Sequence, residues 1–304
     1  DLFVAGDAAL AGIYNPGSRQ LGYRYHVVFG KNSGKFTYSA EYNETARDYD
    51  PTDLGYIYYY NTRETSLNFS YTDLRAKNNL IKRVYSVNTW YARYIDPDNF
   101  FSSNIFLNTF YLYKNFFGWF TLLNLKPRIT KNFYETRRTE FNRYFNQPAN
   151  IEFSSLISSD YRKKLAIDLE AGYTLFSRSK WNNYFIELKP RIRFNDYFSI
   201  FGSIEWSKSN NENGFYFDNR HRKSEVLAPD DLVFSMRDVN NIIVELTPKI
   251  KINNNLNISI RFRNYWLQVD VKKIFVLDPN GNLGKEISFT PIDNRHFSFP
   301  ISNF

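Results

Sequence analysis

Apolar and polar residues alternate with a period of two through nearly the whole of this chain. Successive side chains of a strand point to opposite faces, so each such run carries one apolar and one polar face. Residues 183–194 set Tyr184, Ile186, Leu188, Pro190, Ile192 and Phe194 against Asn183, Glu187, Lys189, Arg191 and Arg193, with Phe185 the single exception. Residues 242–253 set Ile242, Val244, Leu246, Pro248, Ile250 and Ile252 against Glu245, Thr247, Lys249, Lys251 and Asn253. Windows 35–43, 165–175 and 256–263 repeat the pattern, and no stretch carries a convincing 3.6-residue period. The fold class is all-β.

Turn chemistry falls between these runs. Asn32-Ser33-Gly34, Asn195-Asp196 and Asn253-Asn254-Asn255 are tight turns by composition, because Asn and Gly tolerate positive φ. Longer polar connections cover roughly 47–62, 131–150, 210–230 and 273–295. The pattern predicts about fourteen strands, over 1–13, 21–30, 35–46, 63–74, 81–95, 101–113, 118–130, 151–160, 164–176, 182–194, 197–209, 231–252, 256–272 and 296–304. Short turns then share one end of the sheet. The long loops share the other end, mixed with a few shorter ones.

A soluble sandwich buries the apolar face of an alternating strand, whereas an outer-membrane barrel turns that face to lipid and the polar face inward. Three features favour the barrel. Many spans are longer than the usual soluble strand. Aromatics gather at strand ends, as at Tyr56, Tyr58, Tyr59, Tyr60, Phe116, Phe117, Trp119 and Phe120. A connected sheet of so many strands tends to close. The expectation is one domain over 1–304, a transmembrane antiparallel up-and-down β-barrel that is whole at about 16 strands or more. Asp1 opens the chain without a charged-then-apolar leader, and 296–304 stops inside an alternating run. We therefore expect a barrel incomplete at one or both ends.

Composition removes other classes. With no Cys there is neither a disulfide framework nor a zinc–thiolate site. The 19% aromatic content argues against disorder, and no apolar run approaches the ~20 residues of a spanning helix. The net charge of +8 raises nucleic acid as a partner. The basic residues, however, are spread over many polar faces and alternate with Asp and Glu, so nucleic-acid binding is not expected.

Two sets of short motifs remain. Leu125-Lys126-Pro127-Arg128-Ile129 recurs as Leu188-Lys189-Pro190-Arg191-Ile192, with a looser copy at Leu246-Thr247-Pro248-Lys249-Ile250. Pro removes a ladder donor, so these positions belong at irregularities or strand ends. Asp48-Tyr49-Asp50-Pro51-Thr52-Asp53-Leu54-Gly55-Tyr56 resembles the Asp-Pro-x-Asp-Leu-Gly-Tyr signature of a Bacteroidota envelope family of unassigned activity. Gly118-Trp119, Phe133-Tyr134-Glu135-Thr136-Arg137 and Asp293-Asn294-Arg295-His296-Phe297 extend the resemblance. It implies a C-terminal outer-membrane barrel, which members join to an N-terminal domain resembling carbohydrate-binding family nine. That domain is absent from these residues, and the resemblance brings no catalytic residues.

Signals for chemistry are thin. His26, His221 and His296 are scattered, and no nucleophile is paired with a base. His221 stands in a basic loop near Asp218 and Glu225 and reads as solvated. Asp278-Pro279-Asn280-Gly281-Asn282 lacks the Gly and Glu spacing of a calcium loop and reads as a hairpin turn. We expect no enzyme activity, no cofactor, no metal and no catalytic residue. The candidate site is a basic lumen lining of Lys189, Arg191, Arg193, Lys249, Lys251, Arg261 and Arg263, which would favour anions. Its competing reading is an ion-pair network with Glu170, Glu187, Glu205 and Glu245 that closes the lumen. The expected function is a porin-like pore or transport-related channel of the outer membrane. The alternative is a plugged barrel serving as a scaffold or accessory subunit, or as a surface glycan- or protein-binding protein. Expected partners are outer-membrane lipid and lipopolysaccharide, with other outer-membrane or surface proteins.

Overall fold

The computed structural model describes residues 1–11, 14–15, 18–19, 22–49, 60–74, 79–138, 140–216, 231–287 and 295–303. The strands in chain order are β1 (Leu2–Ala11), β2 (Tyr14–Asn15), β3 (Ser18–Arg19), β4 (Gly22–Lys31), β5 (Phe36–Thr45), β6 (Thr62–Asp73), β7 (Leu80–Tyr94), β8 (Phe100–Tyr113), β9 (Gly118–Lys126) and β10 (Thr130–Asn132). They continue as β11 (Phe145–Gln147), β12 (Asn150–Ser158), β13 (Leu165–Phe176), β14 (Asn182–Arg193), β15 (Phe198–Phe215), β16 (Val233–Lys251), β17 (Asn257–Ser259), β18 (Arg261–Leu277), β19 (Leu283–Ile287) and β20 (Arg295–Asn303). One 3-10 turn spans Tyr134–Thr136, and there is no α-helix among the described residues.

The main sheet runs β1-β4-β5-β6-β7-β8-β9-β12-β13-β14-β15-β16-β18-β19, with β17 on β16 and β20 on β18. Neighbours in the sheet follow the chain up and down, and each pairing with a defined register is antiparallel. No pairing joins β1 to the far end of this order among the described residues. All-β architecture and the expected spans agree with this sheet to within a few residues at most ends. Several expectations need correcting. The 197–209 span continues to Phe215, inside the expected 210–230 connection, and the 256–272 span divides into β17 and β18. The 118–130 span stops at Lys126, because Pro127 has no amide to extend the ladder. The connection at 131–150 holds β10, the 3-10 turn and β11, and that at 273–295 holds the end of β18 and β19. The Asn280-Gly281 turn is a hairpin turn: Gly281 has φ 80° and its amide donates to the Asp278 carbonyl at 3.1 Å.

The chain divides into two compact units. The first comprises Asp1–Asp73, Val84–Asn108 and Asn124–Asn150. Its core is aromatic: Tyr94, Phe101, Phe133 and Phe141 are buried with Ala92, and Tyr60, Trp90, Tyr134 and Tyr144 pack against them. The 127–149 connection supplies Phe133, Tyr134, Phe141 and Tyr144 to that cluster. It folds back on itself by pairing Thr130 with Gln147, and its 3-10 turn is closed by Arg137 in the left-handed region at φ 57°.

The second unit comprises Leu74–Arg83, Thr109–Leu123 and Ile151–Phe304. Within β13–β16 the register aligns the apolar residues in rows, such as Ile167 with Pro190, Leu188 with Ile204 and Ile204 with Val244. Among the described residues nothing covers this face: Leu175 is 49% exposed, Ile204 50%, Ile250 46% and Phe262 45%. Aromatic residues border it. At one margin Tyr173 stacks on Tyr184 at 6.4 Å, Tyr184 meets Trp206 edge-on at 5.5 Å, and Ile242 separates Trp206 from Trp266 in the same row. At the other, Phe194 stacks on Phe198 at 5.1 Å. Trp206 turns its Nε1–H onto Asn240 at 2.8 Å, where the face becomes polar.

Two anomalies of the sequence resolve locally. Phe185 stands on the polar face, and its register partner is Gly172. A Cβ at that glycine would lie 2.3 Å from the Phe185 ring, so the ring fills the space a side chain would take. Pro190 falls in a gap of the β14–β15 ladder between Leu188 and Arg191 and rests on Gly202, while Pro248 lies where β17 gives way to β18.

Candidate functional site

The seven basic residues picked out by alternation share one face of the second unit. Lys189, Arg191 and Arg193 come from β14, Lys249 and Lys251 from β16, and Arg261 and Arg263 from β18. Opposed pairs such as Lys189 with Asp168, Arg193 with Ser199, Lys249 with Ser199 and Arg263 with Glu245 fix that placement. The face is braced by opposite charges. Lys189 Nζ lies 2.7 Å from Glu187 and 3.7 Å from Glu170, and Glu245 holds Arg261 at 3.3 Å and Arg263 at 3.1 Å. Arg191 sits over the Tyr161 ring at 4.4 Å and Lys249 over the Phe201 ring at 4.5 Å. These groups are partly exposed, so each pair stabilises by only about 0–1 kcal/mol. Their effect on the field is larger than their energy: glutamates at this spacing break the basic stripe into alternating charge.

A turn at the edge of this face carries its own pair. Between β12 and β13, Arg162 donates to both oxygens of Asp160, at 2.9 and 2.8 Å. That guanidinium, helped by the Arg162 amide, holds the Asp160 carboxyl down at about 2.

The first unit holds a cavity of about 480 Å³ on a different chemistry. Its walls are side chains of β6, β7, β8 and β9, and the β10–β11 hairpin contributes Thr130, Asn132 and Gln147. Amide and hydroxyl groups dominate, three aromatic rings join them, and Lys126 is the one charged residue among the lining residues. The walls are tied together. Trp90 donates its indole N–H to Glu64 at 3.0 Å and meets Phe101 edge-on at 5.9 Å. Asn68 donates to Ser39 and Glu41, each at 2.9 Å. Ser102 contacts Asn104 at 3.3 Å and receives the Thr130 hydroxyl at 3.2 Å.

The hairpin is anchored beside the cavity. The Tyr134 hydroxyl donates to the Tyr60 carbonyl and accepts the Tyr60 amide at 3.2 Å. Burial pushes the Tyr134 phenol well above its ordinary range, since an ionised oxygen there would lose its water. Sequence reading missed this cavity. Its signal was present, as strand positions carrying Asn, Ser and Trp where the second unit carries Lys, Arg and Glu, but uncharged polar residues do not stand out in an Asn-rich chain.

His26 lies 4.0 Å from Glu41. His221 and the residues 50–56 of the Asp-Pro-x-Asp-Leu-Gly-Tyr stretch lie outside the described residues, as do Asp293 and Asn294. Among the described residues no group of three or more acidic, His or Cys side chains could hold a metal ion.

Compared with known proteins, residues 2–302 match the family model described as Domain of unknown function (DUF5916). No curated protein and no solved structure matches the chain.

Proposed function

We propose that this chain, which belongs to the DUF5916 family, is an integral β-barrel of a bacterial outer membrane, of the Bacteroidota type, whose polar face lines a passage for small polar solutes. One observation carries the reading: an uncovered apolar sheet face bordered by aromatics on both margins. From Tyr184 to Phe194 is ten residues (194 − 184), or about 33 Å of strand. Tilted by ~40°, that is about 25 Å, the height of the apolar band of outer-membrane barrels between their aromatic girdles. Water solvates such a face poorly, whereas lipid tails solvate it well. The polar face then needs a water-filled interior, and Lys189, Arg191, Arg193, Lys249, Lys251, Arg261 and Arg263 face that lumen with their glutamates. Lipid and lipopolysaccharide are the surrounding partners, and the passage requires neither cofactor nor catalytic step.

A second reading is a plugged barrel acting as scaffold, accessory subunit or surface-binding protein. The observation that favours it is the buried aromatic packing of the 127–149 connection on Tyr94 and Phe101. Conductance of the folded protein in a planar lipid bilayer separates the two. Stepwise currents support passage, with anion selectivity reduced by the glutamates that pair Lys189, Arg261 and Arg263. Silence from folded protein sinks the pore and leaves the plugged barrel.

A further inference from the structure

We propose that the cavity of the first unit is a binding site for an uncharged polyhydroxylated solute of mono- to disaccharide size. The volume of about 480 Å³ falls in the range of small-ligand pockets. Its chemistry suits sugar hydroxyls, each of which both donates and accepts. Asn88, Asn104 and Gln147 offer amide donors at short reach, and the Asn68 carbonyl oxygen and the Ser102 and Thr130 hydroxyl oxygens offer acceptors. Trp90 supplies the apolar ring against which sugar C–H groups pack. A single cation, Lys126, among these neutral groups gives no paired clamp for a carboxylate or phosphate.

The walls are also held in place before any ligand arrives. Trp90 is fixed by Glu64 and Phe101, Asn68 by Ser39 and Glu41, and Ser102 by Asn104 and Thr130. Groups fixed in this way lose little freedom on binding. A lining that is uncharged apart from Lys126 sets this site apart from the charged face of the second unit. The inference stands on the cavity alone and does not require the membrane reading.

The test is isothermal titration of the full folded chain in detergent with glucose, maltose and N-acetylglucosamine, and with inorganic phosphate as the charged comparison. Circular dichroism checks the β-fold in each sample. We expect saturable binding of at least one sugar and none of phosphate. Trp90→Ala should weaken binding about tenfold, the loss of one ring contact. Asn104→Leu should weaken it while leaving Trp90 in place, which covers failure of the tryptophan variant to fold. Folded protein that binds no sugar overturns the proposal. So does preferential binding of phosphate, or sugar binding that both variants leave unchanged. None of these outcomes bears on conductance, so the two readings fail separately.

Discussion

Tyr134 and Tyr60 exchange two hydrogen bonds across 74 residues of sequence: the phenol donates to the backbone carbonyl and receives the backbone amide at 3.2 Å. That one side chain satisfies both backbone polar groups of a single partly buried residue. Tyr134→Phe keeps the ring and leaves both groups unpaired, at a cost of about 1–3 kcal/mol. The expected readout is faster proteolysis within 127–149 than in the parent protein. Equal cleavage rates would refute the anchor.

The same phenol gives an alkaline signature. Its folded pKa is raised by burial, so its contribution is complete below the unfolded value of about 10 and is lost as pH rises beyond it. Ultraviolet titration should show fewer tyrosines ionising between pH 10 and 11 in the folded parent than in the unfolded chain, Tyr134 among the late ones. In Tyr134→Phe that late-titrating group should be missing.

Acid acts elsewhere. Arg162 holds the Asp160 carboxyl at about 2, below its unfolded range, so its contribution is present above about pH 4 and lost as pH falls toward 2. The parent and Asp160→Asn should differ in thermal midpoint at pH 5 and converge near pH 2. Arg162 is largely exposed, so the difference at pH 5 should be small.

The apolar band predicts a sharp asymmetry. Leu188→Arg or Ile204→Arg places charge on the row midway between the two aromatic margins and should cost about 2–4 kcal/mol near a bilayer midplane. Lys189→Gln, on the opposite face, should fold normally. Urea titration of protein refolded into lipid vesicles measures both, and equal tolerance at the three sites would contradict lipid contact.

Gly172 and Phe185 offer a packing test. Gly172→Ala puts a Cβ 2.3 Å from the Phe185 ring and should destabilise by about 1–3 kcal/mol. Phe185→Leu in the same chain should recover part of that loss. Additive losses in the double variant would show that the two positions do not touch.

The strands were legible because their signal is local. An alternating row such as Ile186, Leu188, Pro190 and Ile192 needs no knowledge of its neighbour to declare a face. Phe185 broke its row for a reason that lies in another strand, at Gly172, and no window on β14 contains it. The 127–149 connection was opaque for the same cause. Phe133 and Phe141 look like aromatics of a polar loop until Tyr94 and Phe101 are brought to them from some forty residues away. The basic residues and the glutamates Glu170, Glu187 and Glu245 were recognised by type and face, yet which cation meets which glutamate depends on register, which alternation does not fix. The cavity was hardest, since Asn, Ser and Thr on a polar face are what any solvated strand would carry.

β15, β16 and β18 run to 18, 19 and 17 residues, well past the aromatic row at Trp206 and Trp266. Beyond that row they remain laced together: Lys272 meets Asp238 at 2.6 Å, Arg237 meets Glu212 at 2.5 Å, and the Asn211 amide caps Asp238 at 2.8 Å. In a membrane this stretch would stand roughly 20 Å clear of the lipid tails, at ~3.3 Å per residue and a tilt of ~40°. A phage, an antibody or a neighbouring protein arriving from outside would then meet a stiff parapet of paired strands. Its grip would depend on side chains held at fixed spacing, and it would recognise a shape rather than catch a tether.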